Sequence, residues 1–145
     1  MNYLLDTNVI SGLSVSVVEQ FTKLRGSLFV TTEVKEELEG AQSRLNLLNQ
    51  TEVQELEISA GILQKVADLM KQVGKEFGLI NLFENKGGAD IVMISHVLYE
   101  NLRSDTLFKE AWTIVTNDKP LTSIARKYGI MVTSRDDFAN MLEQL

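Results

Sequence analysis

Asn2-Tyr3-Leu4-Leu5-Asp6-Thr7-Asn8 is the stretch from which the rest of this chain can be read. An apolar run ends abruptly in an acid, a hydroxyl and an amide, and a helix-like segment follows. Tyr3 to Leu5 predicts a strand with Asp6 at its carboxyl end, the edge of an open α/β sheet where ligands gather. Two later stretches repeat the pattern. Trp112-Thr113-Ile114-Val115-Thr116 runs into Asn117-Asp118, and Gly87-Gly88-Ala89 leads into Asp90 at the start of an apolar helix. Any one of these acids alone reads equally well as a helix cap or turn former. Three together, in a chain with no Cys and one His, point to a hard-metal site.

The 145 residues predict a single domain, residues 1–145, long enough to bury a real core. Hydrophobic residues make up 44% and charged residues 23%, as in ordinary globular proteins. No apolar run is long enough to span a bilayer and no basic-plus-apolar leader precedes Asp6, so a cytoplasmic protein is expected, with no membrane partner. Zero cysteines exclude disulfides and thiolate chemistry, and His96 alone cannot build a His-rich zinc site. A net charge of −6 argues against broad, charge-driven nucleic-acid binding. It leaves room for a nucleic-acid enzyme whose bound divalent ions offset acidic site residues.

Outward from Asp6, Thr7 to Leu13 predicts a short helix. Val17, Val18, Phe21 and Leu24 place an amphipathic helix over 15–25, closed by Gly26. Leu28 to Val30 is a buried strand, Thr31 or Thr32 caps a short acidic helix over 33–39, and 44–50 is another helix. Seven acids against two bases from Glu33 to Glu57 read as a solvated face. Val53 to Ile58 alternates like a small strand. Ser59 opens a long helix with Ile62, Val66, Leu69, Met70, Val73 and Phe77 on its inward stripe. Gly78 to Gly88 reads as a loop exposing Leu82 and Phe83. Residues 89–102 form a helix apolar nearly all round, hence buried, and Asp90 lies in its dipole-favoured first turn. His96 within it is expected to be packed or hydrogen-bonded.

Trp112 to Thr116 has the β-branched look of a buried parallel strand, with Trp112 in the core. Pro120 starts a helix whose stripe is Leu121, Ile124, Ala125 and Tyr128, and Gly129 ends it. Ile130 to Val132 is a last strand. Ser134 and Asp137 form a capping-box-like start to a C-terminal helix carrying Phe138, Met141, Leu142 and Leu145. This alternation predicts an α/β protein, a three-layer sandwich around a mostly parallel sheet.

Parallel strands lie about 4.8 Å apart with their carboxyl ends on one edge. Asp6 and Asp118 therefore converge if their strands are neighbours, and Asp90 joins them if its helix starts there. Such carboxylates repel strongly unless a cation neutralises them. Oxygen-only ligands select Mg²⁺ or Mn²⁺, and Mg²⁺ takes substrate phosphates as further ligands. The reaction class that fits is phosphodiester hydrolysis.

These residues also resemble a known family. Leu4-Leu5-Asp6-Thr7-Asn8 is similar to the opening motif of the PIN-domain ribonucleases, and Val30-Thr31-Thr32-Glu33-Val34-Lys35-Glu36-Glu37-Leu38 to their second. Gly88-Ala89-Asp90-Ile91 resembles the third motif and Val115-Thr116-Asn117-Asp118-Lys119 the fourth, in the family's order. The resemblance covers nearly the whole chain, and the stretch 41–82 matches neither the toxin nor the RNA-processing subgroup. It implies a PIN-like fold and metal-dependent endonucleolytic cleavage of RNA. By motif, Asp6, Glu37, Asp90 and Asp118 become the metal-binding, catalytic acids, and Thr7, Asn8 and Thr116 the residues that orient them. The family includes VapC-type toxins of toxin–antitoxin pairs and RNA-processing nucleases. The resemblance thus implies an RNA substrate, Mg²⁺ or Mn²⁺, a homodimer and, for a toxin, an antitoxin partner.

Helix geometry narrows the crowded second motif. With about 100° per residue, Glu36 falls opposite the Val34–Leu38 face, whereas Glu37 flanks it, where a side chain reaches a sheet-edge cleft. Lys119 begins a stretch to Arg135 with four bases and no acid. It reads as a solvated helix face or, directly after Asp118, as a phosphate contact. Two other classes compete: a catalytically silent PIN-like module that binds RNA or protein, and a phospho-accepting receiver-like domain. The last wants adjacent acids after the first strand, and Asp6-Thr7-Asn8 supplies one.

Overall fold

The computed structural model describes residues 1–76, 88–103 and 110–145. Its elements are β1 (Asn2–Leu5), α1 (Thr7–Ile10), α2 (Val15–Leu24), β2 (Ser27–Thr31), α3 (Thr32–Glu37), α4 (Gln42–Gln50), β3 (Gln54–Leu56) and α5 (Ala60–Glu76). There follow α6 (Gly88–Arg103), β4 (Trp112–Val115), α7 (Lys119–Lys127), β5 (Met131–Thr133) and α8 (Arg135–Glu143). The five strands form one sheet in the order β3-β2-β1-β4-β5, and every pairing is parallel. The chain builds outward from β1 to β3, then returns across the sheet to place β4 on the other side of β1. That reversal puts a topological switch point between β1 and β4, and such crevices hold ligands at the strand carboxyl ends. A receiver-like sheet runs in the order 2-1-3-4-5, so the topology removes that reading.

Parallel register sorts the strand residues by face. Tyr3, Leu28 and Thr113 are opposite one another, and so are Leu4, Phe29 and Ile114. On the Tyr3 face, α2 and α8 supply Phe21 and Phe138, and the three rings pack with centroids 5.2 to 5.9 Å apart. On the other face α6 lies against β2 and β4 and packs beside α5. Phe29 and Trp112 stack there at 4.8 Å, so Trp112 is a half-buried core ring. Both faces are covered, and the strands accordingly read as near-continuous apolar runs. Burying each large aliphatic or aromatic side chain of this core contributes about 1.5–3 kcal/mol.

Local signals explain most boundaries. Thr31 Oγ1 accepts from Val34 N at 3.2 Å and starts α3, and Ser134 Oγ accepts from Asp137 N at 3.1 Å and starts α8. Gly129 sits at φ +72°, which ends α7 in a conformation that costs a side chain dearly. Gly26 is needed for closeness: a Cβ there would collide with the Met1 carbonyl.

The structure corrects some expectations. Helix α1 stops at Ile10 because it is a single turn between Asp6 and the Ser14 cap of α2. Leu24, assigned to the buried stripe, is 64% exposed, because α2 ends there and turns it away from Val18 and Phe21. Met70 is also exposed, because Ile62 and Leu69 set the centre of the buried face of α5. Val73, Phe77 and the loop with Leu82 and Phe83 lie outside the residues whose side chains are described. His96 is buried, its Nε2 has no hydrogen-bond partner among the described residues, and burial pushes it from 6.5 down to about 4, so it packs as a neutral ring.

Candidate active site

The switch point sets Asp6 beside Thr116. Leu5 pairs with Val115, so the residues that follow them leave the sheet side by side, and Asp6 N donates to Val115 O at 3.1 Å. Thr116, 2% exposed, stands between two acids. Its Oγ1 donates to Asp6 Oδ2 at 2.6 Å and accepts from Asp118 N at 3.0 Å. One hydroxyl thereby fixes a carboxylate of β1 relative to the turn after β4. Asp6 Oδ1 accepts from Thr7 N at 2.7 Å, capping α1. Asp118 caps α7 in the same way, its Oδ1 accepting from Leu121 N at 2.8 Å.

Glu37 comes to this edge from α3. Thr7 Oγ1 donates to Glu37 Oε2 at 2.5 Å, joining the first and second motifs across 30 residues of sequence. Glu36 and Glu37 are both solvent-exposed, and what sets Glu37 apart is its hydrogen bond from Thr7. Asp90 reaches the edge from the first turn of α6. Burial, with Asp118, Asp6 and Glu37 facing it in that order of effect, pushes its carboxyl from 3.8 up to about 7. Four acids from four separate stretches therefore share one electrostatic neighbourhood.

Sharing a field is a looser condition than chelation. Among the described residues no group of three or more Asp, Glu or His side chains is placed to hold a metal ion. Asp6, Glu37 and Asp118 each accept a hydrogen bond from a protein donor. Mg²⁺ needs oxygens at about 2.0–2.1 Å in near-octahedral array, whereas carboxylate repulsion acts over several ångströms. The donor chemistry itself, oxygen-only and strongly anionic, fits Mg²⁺ or Mn²⁺.

Asn8 is exposed, and its side chain makes no hydrogen bond among the described residues; the other two expected orienting residues, Thr7 and Thr116, touch the acids directly. Lys119 is exposed at the first position of α7. One contact escaped the sequence reading: Asn117 Oδ1 accepts from Arg135 N at 2.8 Å, tying the turn after β4 to the start of α8. Its only signal was an amide next to a strand end, a common turn feature.

No protein family and no curated protein matches the sequence. Among solved structures, a chain of VapBC2 from Rickettsia felis, bound to a DNA fragment from their promoter, is similar with a TM-score of 0.60. The match covers 92% of this chain and 98% of that one at 18% identity. At that identity the likeness is one of fold, and the fold is a five-stranded, all-parallel α/β sandwich of PIN-like form.

Proposed function

We propose that this protein is a Mg²⁺- or Mn²⁺-dependent endoribonuclease of the PIN kind, acting as the toxin of a toxin–antitoxin pair or as an RNA-processing nuclease. The observation that carries the reading is the convergence of Asp6, Glu37, Asp90 and Asp118 at the switch point, tied together by Thr7 and Thr116, where burial first and then Asp118, Asp6 and Glu37 push the Asp90 carboxyl up to about 7. A stabilised fold would ordinarily avoid such a cluster, because a carboxylate that resists ionisation among like charges costs stability. The similarity in fold to a chain of VapBC2 supports the toxin branch and an antitoxin partner. Among the described residues no helix is long and apolar enough to cross a membrane.

Asp6, Asp90, Asp118 and Glu37 would hold the cation, which supplies Lewis-acid stabilisation of the phosphoryl oxygens and a more acidic bound water. Thr116 positions Asp6 and the Asp118 backbone, and Thr7 positions Glu37, as orienting partners of metal ligands do. Lys119, exposed directly after Asp118, would meet a backbone phosphate. A homodimer belongs to the same reading.

A catalytically silent, RNA- or protein-binding module is the second reading, favoured by the absence of a formed chelate among the described residues. One experiment separates them. Purified protein is incubated with RNA in Mn²⁺, Mg²⁺ or EDTA, and its melting temperature is followed through a Mn²⁺ titration. The nuclease reading expects metal-dependent cleavage and a rise in melting temperature that Asp90→Asn removes. No cleavage together with a flat metal titration would establish the silent module.

A further inference from the structure

Arg135 begins α8 immediately after β5, on the sheet edge that carries the acids. Its backbone N–H is fixed by Asn117 Oδ1 at 2.8 Å, one residue from Asp118. Its side chain extends the other way, across the sheet edge to Gly12. A Cβ at position 12 would lie 3.4 Å from Arg135 Nη2 and 4.0 Å from Nε, so the glycine leaves the guanidinium a flat seat. Gly12 N donates to Val9 O just past the end of α1, a helix of 4 residues that begins at Thr7. Such a helix is about 6 Å long, so the seat lies roughly one turn from Asp6 and Thr7. Arg135 is exposed, and among the described residues its guanidinium forms no ion pair or hydrogen bond.

We infer that Arg135, seated on Gly12, grips an RNA backbone phosphate next to the one that enters the acidic cluster. The inference rests on the nuclease reading and names how its substrate is held. The planar fork of a guanidinium matches two phosphate oxygens at once. The chain as a whole is acidic, at net charge −6, so RNA must be drawn in by locally placed cations. Lys119 follows Asp118 directly at the start of α7, and the Arg135 guanidinium lies by Gly12, just past α1, which begins after Asp6. RNA whose phosphate enters the acids would meet Arg135 with a neighbouring phosphate.

Fluorescence anisotropy with labelled single-stranded oligouridine RNA in EDTA reads binding without cleavage. Arg135→Ala should weaken binding roughly tenfold, as losing a charge-assisted hydrogen bond does. The slope of log affinity against log salt should fall by about 0.7, the share of one single-strand phosphate contact. Arg135→Lys should restore the slope and only part of the affinity. Gly12→Leu, which pushes the guanidinium off its seat, should lose affinity while keeping the charge. Arg25→Ala, at the far end of α2, should bind as wild type. In Mn²⁺, KM for Arg135→Ala should rise more than kcat falls. Equal affinity and slope for wild type and Arg135→Ala, or an equal loss in Arg25→Ala, overturns this inference alone and leaves cleavage standing. If the wild type neither binds nor cleaves RNA, both readings fall together.

Discussion

Replacing Asp90 by Asn should raise the stability of the metal-free protein at pH 8 and leave it unchanged at pH 4. The folded-state carboxyl titrates near 7 against 3.8 for its ordinary value. A folded pKa raised above the unfolded one contributes stability below about pH 4, and that contribution is lost as pH climbs through 7. A fully buried group shifted this far would be worth roughly 4 kcal/mol. Asp90 is only partly buried, and solvent screening reduces this to about 1–2 kcal/mol. At 145 residues that is a gain of about 3–6 °C in melting temperature at pH 8. The wild-type profile alone would mislead, because His96 acts in the opposite direction. Its pKa is lowered from 6.5 to about 4, so it contributes stability above pH 6.5 that is lost as pH falls toward 4. The difference between variant and wild type cancels that term. Differential scanning calorimetry in EDTA at pH 4, 6 and 8 makes the measurement. A variant that melts no higher than wild type at pH 8, or by the same margin at pH 4, would refute the claim that clustered charge strains this site.

Asp6→Asn should abolish cleavage and cost about 1 kcal/mol, because an amide cannot accept from both Thr7 N and Thr116 Oγ1 as the carboxylate does. Asp118→Asn should also silence cleavage, and the double variant should lose no more than either alone, since both serve one site; additive losses in single-turnover assays would separate their roles. Glu37→Gln should lower the cleavage rate by orders of magnitude while Glu36→Gln stays near wild type, since only Glu37 is tied to Thr7 beside Asp6; the reverse ranking under identical Mn²⁺ would reject that assignment. Thr116→Val deletes the hydroxyl shared by Asp6 and Asp118 N–H, and should cost about 1–3 kcal/mol. Mn²⁺ affinity, read by calorimetric titration, should fall roughly 10- to 100-fold.

Local chemistry carried much of this molecule in its sequence. Apolar runs ending in Asp6 and Asn117-Asp118 marked two strands and the edge they share, because a buried parallel strand needs continuous apolar side chains and its exit is polar. Thr31, Ser134 and Gly129 announced helix ends through hydrogen bonds within a few residues and one positive φ. The hydrogen bond that joins Glu37 to Thr7 lies beyond such local signals, since it spans 30 residues. Long-range placement was not legible. That β4 lies against β1 follows from the order in which the chain lays down its strands, and only this order brings Thr116 Oγ1 within 2.6 Å of Asp6 across 110 residues. Leu24 and Met70 are exposed because α2 ends at Leu24 and because Ile62 and Leu69 centre the buried face of α5. The seat of Arg135 on Gly12 joins partners that lie far apart in sequence and share no periodicity. Propensity and capping act over one or two turns of chain. A site assembled from four separate stretches comes into being only when the sheet closes its order, and the sheet alone decides which acids face one another.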